Sequence, residues 1–124
     1  MRYQCLGYFN QEKMDALPKE EVEAIMMECQ PYLEELYKSG QVLIDVGVEQ
    51  EVKSLQRVDG KIQVDNVRLG KTKKMIGSAF IIEAQDMEEA IRVASQHPTV
   101  QVSKGEQLGW EIEIRPIQYF EKRE

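Results

Sequence analysis

The sequence predicts an α+β fold: one antiparallel sheet with two helices on a single face. Three observations predict it. The chain has 124 residues, 42% hydrophobic and 31% charged, which is the size and balance of one unit with one core. Apolar residues alternate with period two in four segments and recur with a helical period in two others. The segments follow one another as strand, helix, strand, hairpin, strand, helix, strand.

Residues 2–9, RYQCLGYF, place Tyr3, Cys5, Gly7 and Phe9 on one face and Gln4, Leu6 and Tyr8 on the other, as a strand does. The polar residues after them read as a turn. Pro18 then suits the first turn of a helix, where its missing N–H costs nothing, and Glu20 and Glu21 suit the positive end of the helix dipole. Val22, Ile25, Met26, Cys29, Leu33, Leu36 and Tyr37 draw one apolar stripe, and Pro31 predicts a kink within it. Gly40 is placed to end the helix. The second strand covers residues 41–49, with Val42, Ile44, Val46 and Val48 alternating with Leu43, Asp45, Gly47 and Glu49.

Asp59-Gly60, between alternating residues 54–64, is a strong signal for a two-residue hairpin turn. Residues 65–74 read as a polar loop. Residues 75–85, MIGSAFIIEAQ, are the clearest strand. Asp86 with Glu89 forms a capping-box pattern for a helix that should turn Met87, Ala90, Ile91 and Ala94 inward and stop before Pro98. After a polar loop, Trp110, Ile112 and Ile114 alternate with Glu111, Glu113 and Arg115 in the last strand.

That order is a ferredoxin-like βαβ-βαβ plan with an extra β-hairpin, expected as a single domain over residues 1–124. Helices on one face leave the other face wet, ligand-lined or covered by a partner. If the aliphatic sets face the helices, Asp45, Glu49, Glu83, Glu111, Glu113 and Arg115 share the open face with Ile81 and Leu43. Two such faces packed together in a homodimer would enclose a polar cleft for a small polar ligand.

Composition narrows the function classes. A net charge of −6 argues against a dedicated binder of nucleic acid or anionic membrane. Residues 53–74 hold seven basic residues against two acidic ones, yet no aromatic is interleaved among them as a base-stacking platform. No apolar run approaches the roughly 20 residues that span a bilayer, and the N-terminus is too polar for a signal peptide. Cys5 and Cys29 belong to no metal-spaced set, and with a single histidine neither a metal site nor a cofactor is implied. Spacing alone leaves a disulfide between them open, but both lie on apolar-patterned segments, as reduced core thiols of a cytoplasmic protein do.

The segment MIGSAFIIEAQDMEEAIRVASQHP, residues 75–98, resembles the C-terminal half of YCII-related domains, and more closely the subgroup named for an Asp-Gly-Pro-Phe motif. The strand ending in Arg115-Pro116 and the strand, long helix and strand of residues 2–49 extend the resemblance over most of the chain. It implies a dimeric α+β barrel, two ferredoxin-like sheets face to face, and a cleft lined by a histidine and an aspartate. At the motif itself this chain reads Asp65-Asn66-Val67-Arg68, with Thr72-Lys73 where Thr-Lys usually follows. The Gly-Pro turn and the Phe anchor are gone, which weakens any role carried over to Asp65.

His97, the only imidazole, suits a general base or proton donor; alternatively it caps a helix C-terminus. Asp65 would orient it or take a proton; alternatively Asp65-Asn66 is turn chemistry. Arg115 suits a carboxylate or phosphate ligand, with Asp45 and Glu113 as further binding candidates on the open face. No Ser-His-Asp set can be drawn, and Gly70-Lys71-Thr72 lacks the strand-loop-helix context of a phosphate loop. The leading expectation is a homodimeric small-molecule-binding protein. The rivals are an acid/base enzyme using His97 and a carboxylate, and a protein-interaction module without catalysis.

Overall fold

The computed structural model describes residues 1–65 and 74–123. Its elements are β1 (Arg2–Asn10), α1 (Gln11–Asp15), α2 (Lys19–Lys38), β2 (Val42–Gly47), β3 (Ser54–Val58), β4 (Lys61–Asp65), β5 (Lys74–Glu83), α3 (Met87–Ala94), α4 (Pro98–Gln101), α5 (Gly105–Leu108) and β6 (Glu111–Pro116). β2, β5, β1 and β6 form an antiparallel sheet in that order, while β3 and β4 form a separate two-stranded hairpin. The fold is α+β and ferredoxin-like, as the order of periodic segments predicts. The hairpin turns where expected, with Asp59 and Gly60 both at positive φ.

Residues opposite one another in a ladder share a face, so the register sorts the sheet into two sides. The helix side carries three rungs: Pro116–Tyr3–Ile82–Val42, Ile114–Cys5–Phe80–Asp45 and Ile112–Gly7–Ser78–Gly47. The open side carries Arg115–Gln4–Ile81–Ile44, Glu113–Leu6–Ala79–Val46 and Glu111–Tyr8–Ile76. Tyr3, Cys5, Phe80 and Ile82 are buried against Leu36 of α2 and Ala90, Val93 and Ala94 of α3. A second cluster joins Ile25 of α2 to Val102 and Leu108.

Several local expectations need correction. The polar turn after β1 contains α1, whose N-terminus is capped by the Asn10 side chain accepting from the Lys13 N–H at 3.0 Å. Pro18 sits at the N-cap of α2 rather than inside it, and α2 continues through Pro31. Asp86 caps α3 as predicted, accepting from the Glu89 N–H at 2.8 Å. Glu89 does not close the box in return; its carboxylate accepts from Gln41 Nε2 at 2.9 Å. Met87 and Ile91 are exposed, and Val93 takes the inward place instead. Once Ala90 and Ala94 face the sheet, the helical period carries Val93 inward with them and turns Met87 and Ile91 to the flanks. Residues 98–108, read as loop, hold α4 and α5.

β2 carries a bulge: Val42 pairs with Ile82 but Ile44 with Ile81, leaving Leu43 as an extra residue. Because strand side chains alternate, one extra residue inverts every face beyond it. Ile44 and Val46 therefore turn to the open side. Asp45, expected on the open side, lies beneath the helices opposite Phe80.

Candidate functional site

A cleft of about 520 Å³ opens between α2 and the helix side of the sheet. Its floor exists because three adjacent positions of one rung have almost no side chain: Gly7, Ser78 and Gly47 lie side by side on three strands. A Cβ on Gly7 would stand 2.4 Å from Ser78 Oγ, so a side chain there would force the serine hydroxyl aside. A Cβ on Gly47 would meet nothing within 4 Å. Val22, Met26, Cys29 and Leu33 of α2 form an apolar roof, and Trp110 and Phe9 close one end.

The polar end is built from Asp45, His97, Ser78 and Thr99. His97 follows α3 and acts as N-cap of α4, its Nδ1 accepting from the Thr99 N–H at 3.1 Å. It is therefore not a C-terminal helix cap, because the chain turns at Pro98 into a new helix whose first N–H groups need an acceptor. Its ring lies flat on Phe80, centroids 4.5 Å apart and planes within 4°. The side chain is only 5% exposed, and that burial pushes its pKa down to about 4 against the opposing pull of the Asp45 charge. Near neutral pH His97 is thus uncharged. With Nδ1 engaged as an acceptor, Nε2 carries the proton and is the ring's donor.

Asp45 is the ladder partner of Phe80 and so lies on the same face of the sheet. Its Oδ2 accepts a hydrogen bond from the Tyr37 hydroxyl of α2, and this bond lifts the Tyr37 pKa to about 12. The imidazole stacked on Phe80 and the carboxylate opposite it in the ladder thus line one cleft, near enough for the Asp45 charge to act on His97.

The other sequence candidates lie elsewhere. Arg115 and Glu113 are on the open side of β6, across the sheet from His97. Glu113 accepts from the Tyr8 hydroxyl at 3.1 Å, and Lys74 pairs with Glu111 beside it. Asp65 ends the β3–β4 hairpin, where it accepts from Gln63 Nε2 at 3.2 Å. The rest of the altered Asp-Gly-Pro-Phe position and Gly70-Lys71-Thr72 fall outside the described residues. The structure therefore brings together His97 and Asp45, and leaves Arg115, Glu113 and Asp65 apart from them. Sequence reading missed Ser78, Thr99, Gly7 and Gly47 as parts of one site. The small residues in three strands were a visible signal, but only ladder register aligns them.

Both cysteines are free. Cys5 is buried, which pushes its thiol up to about 12, and Cys29 in the cleft roof is raised by burial and by Glu28. Neither is poised as a thiolate nucleophile. Among the described residues, no three of His, Cys, Asp and Glu gather as a metal set, and no helix is long and apolar enough to cross a membrane. No curated protein matches the chain. The family model described as the YCII-related domain matches residues 1–116.

Proposed function

The chain belongs to the YCII-related domain family, and from that premise we propose that it is a cytosolic, homodimeric protein that binds a small molecule beneath α2. The observation carrying this reading is that His97, stacked on Phe80, and Asp45, the ladder partner of Phe80, line one cleft floored by Gly7, Ser78 and Gly47. Its volume falls within the range of small-molecule sites, and apolar walls with a few convergent polar groups are their usual chemistry. The homodimer is supported by the opposite side of the sheet. Ile44, Val46 and Ile76 are 45%, 45% and 38% exposed there and share that side with Leu6 and Ile81. Glu111, Glu113 and Arg115 line its β6 edge, where a polar cleft between two sheets would form.

Saturation-transfer NMR with cyclohexanol, cyclohexanone and indole tests the binding site. All or some should receive transfer from the wild-type protein and lose it in Gly47→Leu, which fills the floor without a backbone clash. Equal transfer to both proteins would rule the cleft out.

The same two side chains favour a second reading, acid/base catalysis. Asp45 would remove a proton from carbon beside a carbonyl, and the neutral His97 Nε2–H would donate to the oxygen as negative charge gathers on it. Exchange of the α-protons of cyclohexanone in D₂O, followed by NMR, should then be accelerated by wild type and return to the buffer rate in Asp45→Asn. Acceleration that survives Asp45→Asn would remove this role.

A further inference from the structure

The polar end of the cleft has a specific donor and acceptor pattern, and it reads out a ligand class. His97 offers one hydrogen, on Nε2, because Nδ1 is committed to the Thr99 N–H. Asp45 offers one oxygen, Oδ1, because Oδ2 is committed to the Tyr37 hydroxyl. His97 stacks on Phe80, Asp45 is the ladder partner of Phe80, the Asp45 charge acts on His97, and both groups line the same space. A group that satisfies both must accept from the imidazole and donate to the carboxylate through one small centre. A hydroxyl does this with a single oxygen. A carboxylate or a phosphodiester anion cannot, since it has no hydrogen to donate and brings a second negative charge beside Asp45. The other polar lining groups, Ser78, Thr99 and Gln50, are uncharged, and the α2 wall and Trp110 are apolar, so the remainder of the ligand should carry no charge.

We propose that the cleft selects an uncharged, largely apolar molecule through one hydroxyl group that bridges His97 Nε2 and Asp45 Oδ1, and rejects anions of the same shape. This rests on the small-molecule reading above and narrows it. It also moves ligand recognition away from Arg115, whose guanidinium would have favoured an anion and lies on the other side of the sheet.

Three probes of one skeleton separate the possibilities: cyclohexylmethanol, its methyl ether and cyclohexanecarboxylate. Trp110, the single tryptophan, lines the cleft and reports occupancy through its emission, with calorimetry for affinity. The alcohol should bind about tenfold more tightly than the carboxylate and about fivefold more tightly than the ether, which accepts but cannot donate. In Asp45→Asn the alcohol-to-carboxylate preference should fall to within about threefold, because the repelling charge is gone. Tyr37→Phe, which leaves Asp45 in place, should keep the preference for the alcohol. A carboxylate bound as tightly as the alcohol overturns the inference while leaving the cleft as the site, provided Gly47→Leu abolishes the response. Equal binding of alcohol and ether overturns the bridging hydroxyl in the same way. No response to any probe overturns both the inference and the reading it rests on.

Discussion

His97 shows how far one residue's surroundings reset its chemistry. A free imidazole titrates near neutrality; this one is held near 4 because a buried cation on Phe80 would lose its hydration. The folded state therefore binds the proton more weakly than the unfolded chain. The associated stability is fully present above about pH 6.5 and is lost as the pH falls towards 4. Between pH 7.5 and 5.0 the loss should be about 2 kcal/mol. Urea denaturation of wild type and His97→Gln at both pH values measures it, and the variant should lack this part of the decline. Phe80 is the other decisive residue, packed against His97, Cys5 and the α3 alanines. Phe80→Ala should destabilise the fold by about 4 kcal/mol. NMR titration should find the His97 pKa moved back up towards its ordinary value, since the ring that keeps water from it is gone.

Among the elements, the bulge in β2 and the cap of α3 have separable effects. Asp86 secures α3 through one side-chain bond to the Glu89 N–H, so Asp86→Ala should lower stability by about 1 kcal/mol without touching the cleft. Chemical denaturation checks the first part and the Trp110 response the second. Deleting Leu43 removes only the extra residue. Val42 still meets Ile82, Ile44 still meets Ile81, and Asp45 stays on the helix side opposite Phe80. Cyclohexylmethanol should therefore still perturb Trp110, and circular dichroism should keep its α+β character; loss of the Trp110 response would show that the bulge does more than set the face of Asp45. The element order was legible in the sequence because strand and helix periods are local properties. The bulge was not, because nothing in Val42-Leu43-Ile44 distinguishes a skipped partner from a paired one. The inward face of α3 was legible only in part: Ala90 and Ala94 were read correctly, whereas the larger Met87 and Ile91 are held outside and Val93 is not.

For the whole molecule the question is what meets the open side of the sheet. Apolar side chains at the β2 edge and charged ones at the β6 edge make a surface that a second copy would complete. Wild-type protein should sediment as a dimer. The double variant Ile44→Lys, Val46→Lys should sediment as a monomer with unchanged circular dichroism, because both side chains point away from the helix-side core. A wild-type monomer would remove the dimer from the proposed function and leave the cleft, which lies within one subunit, standing. The sequence by itself determined the order of elements, the hairpin turn at Asp59-Gly60, the cap at Asp86 and the resemblance to the family, since each is encoded in residues near one another along the chain. Only the tertiary structure decided that Asp45 joins His97 while Arg115 and Asp65 do not, and that three small residues open a floor beneath α2. Those outcomes depend on ladder register between distant strands, where one unpaired residue inverts a face and no local pattern announces it.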